Sequence, residues 1–179
     1  FGTLAAMWLF CESKVDTAIL EVGLGGRLDA VNAFDADVAL LMSVGIDHMD
    51  YLGDTREAIG FEKAHIFRAG RPAICADAGP PATVTEYAAR IDADLMLIGR
   101  DFSYQAQPQQ WSYRGPDGDR HGLPLPALRG TFQLANASAC IAALDALRGR
   151  LPVTAGNLRD GLVRVENPGR FQALPGRPT

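Results

Sequence analysis

Asp37-Val38-Ala39-Leu40-Leu41-Met42-Ser43-Val44 is an almost unbroken apolar run led by one acid. Without polar alternation, such a run predicts a strand covered on both faces. Downstream, the segment from Thr55 to Arg68 has helical spacing, with Ile59, Ile66 and Phe67 inward and Asp54 placed to cap the first turn. Arg71 to Cys75 reads as a second strand, Pro80 and Pro81 open a second helix reaching about Ile91, and Ala93 to Ile98 returns as a third strand. That order predicts an α/β fold with an open, mostly parallel sheet flanked by helices. Ligands of such sheets sit beyond the carboxyl ends of the strands. Upstream, Phe1 to Glu12 reads as a buried helix and Asp16 to Val22 as a further strand covered on both faces. From Asp101 to Leu128 the texture changes to Phe-Ser-Tyr, Trp-Ser-Tyr and Pro-Asp-Gly-Asp, which predicts a small β-rich insertion with turns. Two helices, Phe132 to Arg148 and Thr154 to Val165, close the reading, with no internal repeat.

With 179 residues and 47% apolar content, the chain can bury one core. A net charge of −4 supplies no general basic field, so nucleic acid is not an expected partner. Cys11, Cys75 and Cys140 lack metal or redox spacing and read as buried thiols of a reducing cytosol. The apolar opening to Phe10 is too short to cross a bilayer and has neither a basic leader nor a cleavage site. No membrane association is expected, and a cytoplasmic localisation is expected with it. Phe1 to Phe10 starts without a cap and Leu-Pro-Gly-Arg-Pro-Thr ends without a closing element, so a fragment is expected at both ends.

Chemistry concentrates in three segments. Ala18 to Asn32 delivers the carboxylate of Glu21 into a loop containing Gly23, Gly25 and Gly26, which lets backbone approach phosphate or metal. A dinucleotide fingerprint fails there, because Leu28 stands where the third glycine belongs. Glu21 at a strand end needs a cationic partner: either magnesium, which accepts few protein oxygens, or an arginine such as Arg27. His48 is either a solvated loop residue or a metal ligand whose tautomer Asp47 or Asp50 fixes. Lys63 is either paired with a carboxylate such as Glu62 or buried and prone to lose its proton, in which case it can take up carbon dioxide as a carbamate. Asn136, in an Ala-rich helix, suits an adenine edge or a structural hydrogen bond. Arg170 follows the turn at Pro168 and Gly169, where its fork can meet a phosphate or ribose or simply stay solvated.

Taken jointly, the block from Glu21 to Asn32, Asp47-His48 with Leu52-Gly53, Glu62-Lys63-Ala64, Asn136-Ala137 and Pro168 to Gln172 closely resemble the folylpolyglutamate synthase/dihydrofolate synthase family, the folate branch of the Mur ligases. The likeness runs in order along nearly the whole chain. It implies the central ATPase domain of an ATP-dependent ligase that joins L-glutamate to dihydropteroate, to folylpolyglutamate, or to both, through an acyl phosphate. It implies Glu21, His48 and Lys63 as magnesium ligands, with Lys63 carbamylated and, like His48, close to the chemistry. Leu28, Asp29 and Ala30 would line the pteroate site, and Asn136 and Arg170 would contact ATP. A monomer binding only small molecules is implied.

Two departures stand out. Family members carry Gly after the Glu-Lys-Ala triplet, where this chain has His65, a bulky group two residues from Lys63. It should point away from Lys63 on a regular helix. The phosphate-binding loop ending in Gly-Lys-Ser or Gly-Lys-Thr is absent from the 179 residues and is expected upstream of Phe1, with a C-terminal domain beyond Thr179. The isolated chain is therefore expected to be inactive. The competing readings are another Mur-type amino-acid ligase and a degenerate nucleotide-binding module without ligase chemistry.

Overall fold

The computed structural model describes residues 1–168. Its elements are α1 (Gly2–Ser13), β1 (Ala39–Leu41), α2 (Met49–Leu52), α3 (Arg56–Ala64), β2 (Pro72–Cys75), α4 (Ala82–Arg90), β3 (Asp94–Leu97), β4 (Ser103–Ala106), β5 (Gln110–Arg114), β6 (Arg120–Pro124), α5 (Gln133–Ala146) and α6 (Ala155–Arg164). Strands β1, β2 and β3 form a parallel sheet in that order. Strands β4, β5 and β6 form a separate antiparallel sheet.

Side chains on a strand alternate faces, and here both faces are apolar because both are covered. Ala39 and Leu41 of β1, with Ala73 and Cys75 of β2, meet Ile59, Ala64 and Phe67 from the α3 side and Val84 and Ala88 from α4. The alternate residues, Leu40, Ile74 and Met96, face Ala139, Ile141 and Ala142 of α5 and the Phe102, Trp111, Tyr113 and Leu123 surface of the small sheet. Each fully buried large side chain contributes about 1.5–3 kcal/mol. Helices α3 and α4 approach closely at Gly60, where an added Cβ would stand 3.0 Å from Pro81 Cγ and 3.1 Å from Thr83 Oγ1.

Four expectations change. Thr55, not Asp54, caps α3, its side chain accepting the Ala58 N–H at 3.2 Å. Helix α1 forms as expected but buries none of its residues: Leu4, Trp8 and Leu9 are 67%, 63% and 54% exposed. Residues 16–22 form no strand, and Ile19 lies in the open. An apolar run becomes a strand only beside a partner, and among the described residues none pairs with it. Of the three thiols, only Cys75 is buried.

Candidate active site

The glycine block is fastened by its own acid. Asp29 Oδ2 accepts the Gly23 and Leu24 N–H groups at 3.0 and 3.2 Å, and Oδ1 accepts the Val31 N–H at 2.9 Å, capping a 3-10 turn over Ala30–Ala33. Partial burial works against the charge on Asp29, but the three backbone donors outweigh it and hold the carboxyl below its usual range.

The block then docks onto α3. Arg27 N–H donates to the Glu62 carbonyl at 2.9 Å, and Arg27 Nε reaches the Glu62 carboxylate at 3.0 Å. Contact is so close at Gly26 that a Cβ would stand 2.7 Å from the Glu62 carbonyl oxygen and 3.2 Å from Lys63 Cα. Gly25, with φ +68°, leaves room for Leu52 of α2, whose Cδ2 would come within 2.8 Å of a Cβ there. Asn32 closes the block, its amide donating to the Arg27 and His65 carbonyls, each at 3.2 Å. Arg68 in turn donates to the Asn32 carbonyl at 2.7 Å and to its Oδ1 at 3.0 Å. The three segments singled out by sequence thus meet: the glycine block, the helix that follows His48, and the helix bearing Lys63.

Individual residues are placed as follows. Glu21 is exposed, two residues ahead of the Asp29 clasp, and not at a strand end. Arg27 is engaged with Glu62 and forms no ion pair with Glu21 among the described residues. His48 precedes α2 with φ 51° and ψ 43°, a left-handed conformation costing a non-glycine residue roughly 1–2 kcal/mol. Asp47 fixes the backbone rather than the tautomer of His48: its Oδ1 accepts the His48 N–H at 2.7 Å, while Oδ2 stays 3.7 Å from Nε2. Lys63 is half-buried and has no ion-pair partner among the described residues. The carboxylate of Glu62 is turned to Arg27 instead.

The His65 backbone takes part in docking the glycine block through its carbonyl, but its ring packs 4.0 Å from that of Tyr87 on α4 and 4.4 Å from that of Phe61. Leu28 is 81% exposed and Ala30 is exposed beside it, whereas the Asp29 carboxylate is taken up by backbone donors. Asn136 lies in the first turn of α5 and donates to Gln133 Oε1 at 3.3 Å. Arg170 lies outside the described residues. Among the described residues, no three His, Cys, Asp or Glu side chains gather around one point that could hold a metal. Glu21 and His48 are both exposed, a carboxylate and an imidazole that are donor types open to a divalent ion, but no third ligand is gathered with them among the described residues.

Sequence reading missed Arg56, Arg68 and Asp77, offered Arg27 only as a partner for Glu21 and gave Asn32 no structural role; all five hold the segments together. Only the apolar setting of Asp77, just past Cys75, offered a signal.

Parallel strands between helices, with a glycine-rich block clasped to a crossover helix, define an open α/β domain in which the glycine block and α2 gather against α3. The sequence places it further: residues 2–144 match the family described as the Mur ligase middle domain, and the chain belongs to that family. It is 42% identical over 178 residues to the dihydrofolate synthase/folylpolyglutamate synthase of Escherichia coli (strain K12), covering 99% of this chain and 41% of that protein. With the Haemophilus influenzae protein of the same name it is 39% identical over 174 residues, covering 97% of this chain and 38% of that protein. Among solved structures, E. coli FolC in complex with DHPP and ADP superposes with a TM-score of 0.90 at 43% identity, covering 97% of this chain and 41% of that one. The bifunctional folylpolyglutamate synthase/dihydrofolate synthase of Yersinia pestis complexed with AMPPNP and Mn ion superposes with a TM-score of 0.88 at 40% identity, covering 97% of this chain and 41% of that one. The chain spans about two fifths of the length of these curated relatives. Among the described residues, no helix is long and apolar enough to cross a membrane.

Proposed function

We propose that this chain is the central part of a cytoplasmic, monomeric ATP-dependent ligase that joins L-glutamate to dihydropteroate, to a folylpolyglutamate tail, or to both. The observation that carries the reading is the seating of the glycine block on α3 at Glu62 and Lys63, which brings the family's three motif segments together. The names of the relatives at 42% and 39% identity supply the substrate class.

In this reading the substrate carboxylate displaces ADP from the γ-phosphorus to give an acyl phosphate. The glutamate amine then adds to the acyl carbon, and inorganic phosphate leaves with the amine's proton passing to solvent. Glu21, His48 and Lys63 would hold magnesium, which when bound would supply charge neutralisation as the phosphoryl group moves. Lys63 serves as a carbamate: its neutral amine adds carbon dioxide and releases one proton, turning a cation into an oxygen donor. The lack of an ion-pair partner for Lys63 among the described residues supports this, since no carboxylate competes for its amine. Leu28 and Ala30 offer exposed apolar surface to a pterin ring, and Asp29 shapes the loop that carries them. Asn136 and Arg170 contact the nucleotide.

The test is ADP release by the full-length protein that carries this chain. ADP formation that requires both L-glutamate and dihydropteroate or a folate is expected. Turnover only with a nucleotide-linked peptide acceptor, or with no acceptor at all, would overturn the reading.

A further inference from the structure

Asp77 is 9% exposed, on the loop after β2, and is one of two buried polar side chains among the described residues. Its Oδ2 accepts the Val44 N–H at 2.8 Å and Arg56 Nη2 at 2.9 Å, while Oδ1 accepts the Gly79 N–H at 2.9 Å. Arg56 is in the first turn of α3. Its Nε donates to the Val44 carbonyl at 2.8 Å and its Nη2 to the Gly79 carbonyl at 3.0 Å. Both main-chain groups of Val44 are therefore held by this one pair. The cluster sits where β1 and β2 both end, at the carboxyl edge of the parallel sheet.

The two residues it anchors lead directly to the proposed chemistry. Val44 is four residues before His48, on the unpaired segment that carries it. Arg56 is seven residues before Lys63 on one helix, so the two share a face about 10 Å apart along the axis, and the Lys63 Cα–Cβ bond tilts back toward the Arg56 end.

We propose that Arg56 and Asp77 are positioning residues that set His48 and Lys63 in register with each other by tying the β1 exit to the start of α3. The inference rests on the ligase reading above, in which the pair is assigned no contact with substrate or nucleotide. It acts through the spacing of two segments that otherwise meet through non-directional apolar packing of Leu41 and Val44 with Ile59 and through the short helix α2. A carboxylate is needed because three donors converge on it, and a guanidinium because one side chain must reach two carbonyls and a carboxylate in a fixed fork.

The experiment uses the full-length enzyme with Asp77→Asn and, separately, Arg56→Lys. Steady-state kinetics and amide hydrogen exchange over residues 44–48 are measured well below the unfolding midpoint. Misplacing a catalytic group by a fraction of an ångström to an ångström predicts a kcat lower by about tenfold to a hundredfold. KM for ATP should stay within about threefold of the parent, since neither residue is among the proposed nucleotide contacts. Exchange at 44–48 should accelerate, and Arg56→Lys, which keeps the charge but loses the fork, should lie between parent and Asp77→Asn. If Asp77→Asn fails to fold, Arg56→Lys decides by the same measurements. An unchanged kcat, unchanged exchange at 44–48, or an equal fall in all parameters tracking the folded fraction overturns the proposal. Absence of glutamate ligase activity in the parent enzyme would instead remove the ligase reading, while the exchange measurement would still judge the clamp.

Discussion

Gly26→Ala forces a methyl group into the flank of α3. The added carbon would stand 2.7 Å from the Glu62 carbonyl oxygen, 3.1 Å from Ile66 Cγ2 and 3.2 Å from Lys63 Cα. Two of these are helix backbone atoms that cannot swing aside, so the glycine block must lift. Lifting breaks the 2.9 Å bond from Arg27 N–H to Glu62 O, a loss of about 1 kcal/mol. Residual overpacking adds about 1–3 kcal/mol. The unfolded chain loses freedom on Gly→Ala replacement, which returns at most about 1 kcal/mol, so the clash wins. A net loss of about 1–3 kcal/mol corresponds to a melting midpoint lower by about 2–12 °C for a domain of this size. Circular dichroism melts of the purified protein measure it, with Gly161→Ala as a control of opposite sign. Gly161 lies inside α6 with nothing within 4 Å of its added Cβ, so alanine there should gain roughly 0.5–1 kcal/mol. A Gly26→Ala midpoint equal to the parent's would refute the claim that the block bears on α3.

Asp145→Asn should loosen the small sheet from α5, because Arg120 of β6 meets the Asp145 carboxylate with both terminal nitrogens in a pair only 31% and 11% exposed. A cost of about 1.5–3 kcal/mol is expected, read from Trp111 fluorescence in a Trp8→Phe background; unaltered stability would remove the pair as a joint. Acid should unfold the protein partly through Asp77: burial opposes its charge, but the Val44 and Gly79 N–H groups and Arg56 outweigh it and lower its pKa from 3.8. Its stabilisation is complete above the unfolded carboxyl's value near 3.9 and is lost as pH falls through the lower native value. Asp77→Asn should therefore flatten the stability profile below about pH 4, and a profile as steep as the parent's would contradict that. Lys63→Ala should lower the kcat of the full-length enzyme by about a hundredfold or more, with partial recovery on adding formate, which can replace a lost carbamate. Full activity without Lys63 would eliminate its proposed role.

The alternating sheet was legible because both of its requirements are local. Leu40 and Leu41, Ala73 and Ile74, or Leu95 and Met96 face opposite layers by strand geometry alone, and the turn residues between them fall where the chain must reverse. The glycine block and the helix around Lys63 were legible in the same way, as unusual composition at fixed spacing. His65 could be assigned its side of α3 from helical period, and its ring indeed lies against Tyr87.

Pairing was not legible. Glu62 stands next to Lys63 in sequence, yet Arg27 takes its carboxylate from 35 residues away. Residues 16–22 have the composition of a buried strand and no strand beside them, and α1 has the composition of a buried helix with its apolar side chains exposed. Asp77 offered a buried position but no hint that Val44, Gly79 and Arg56 would converge on it. By itself, then, the sequence determined periodicity, turn chemistry and the stock of reactive groups, all properties of neighbours along the chain. Which carboxylate meets which cation, and which apolar face is covered, was decided only by tertiary structure, because hydrogen bonds and burial depend on distances in space that residue spacing does not encode.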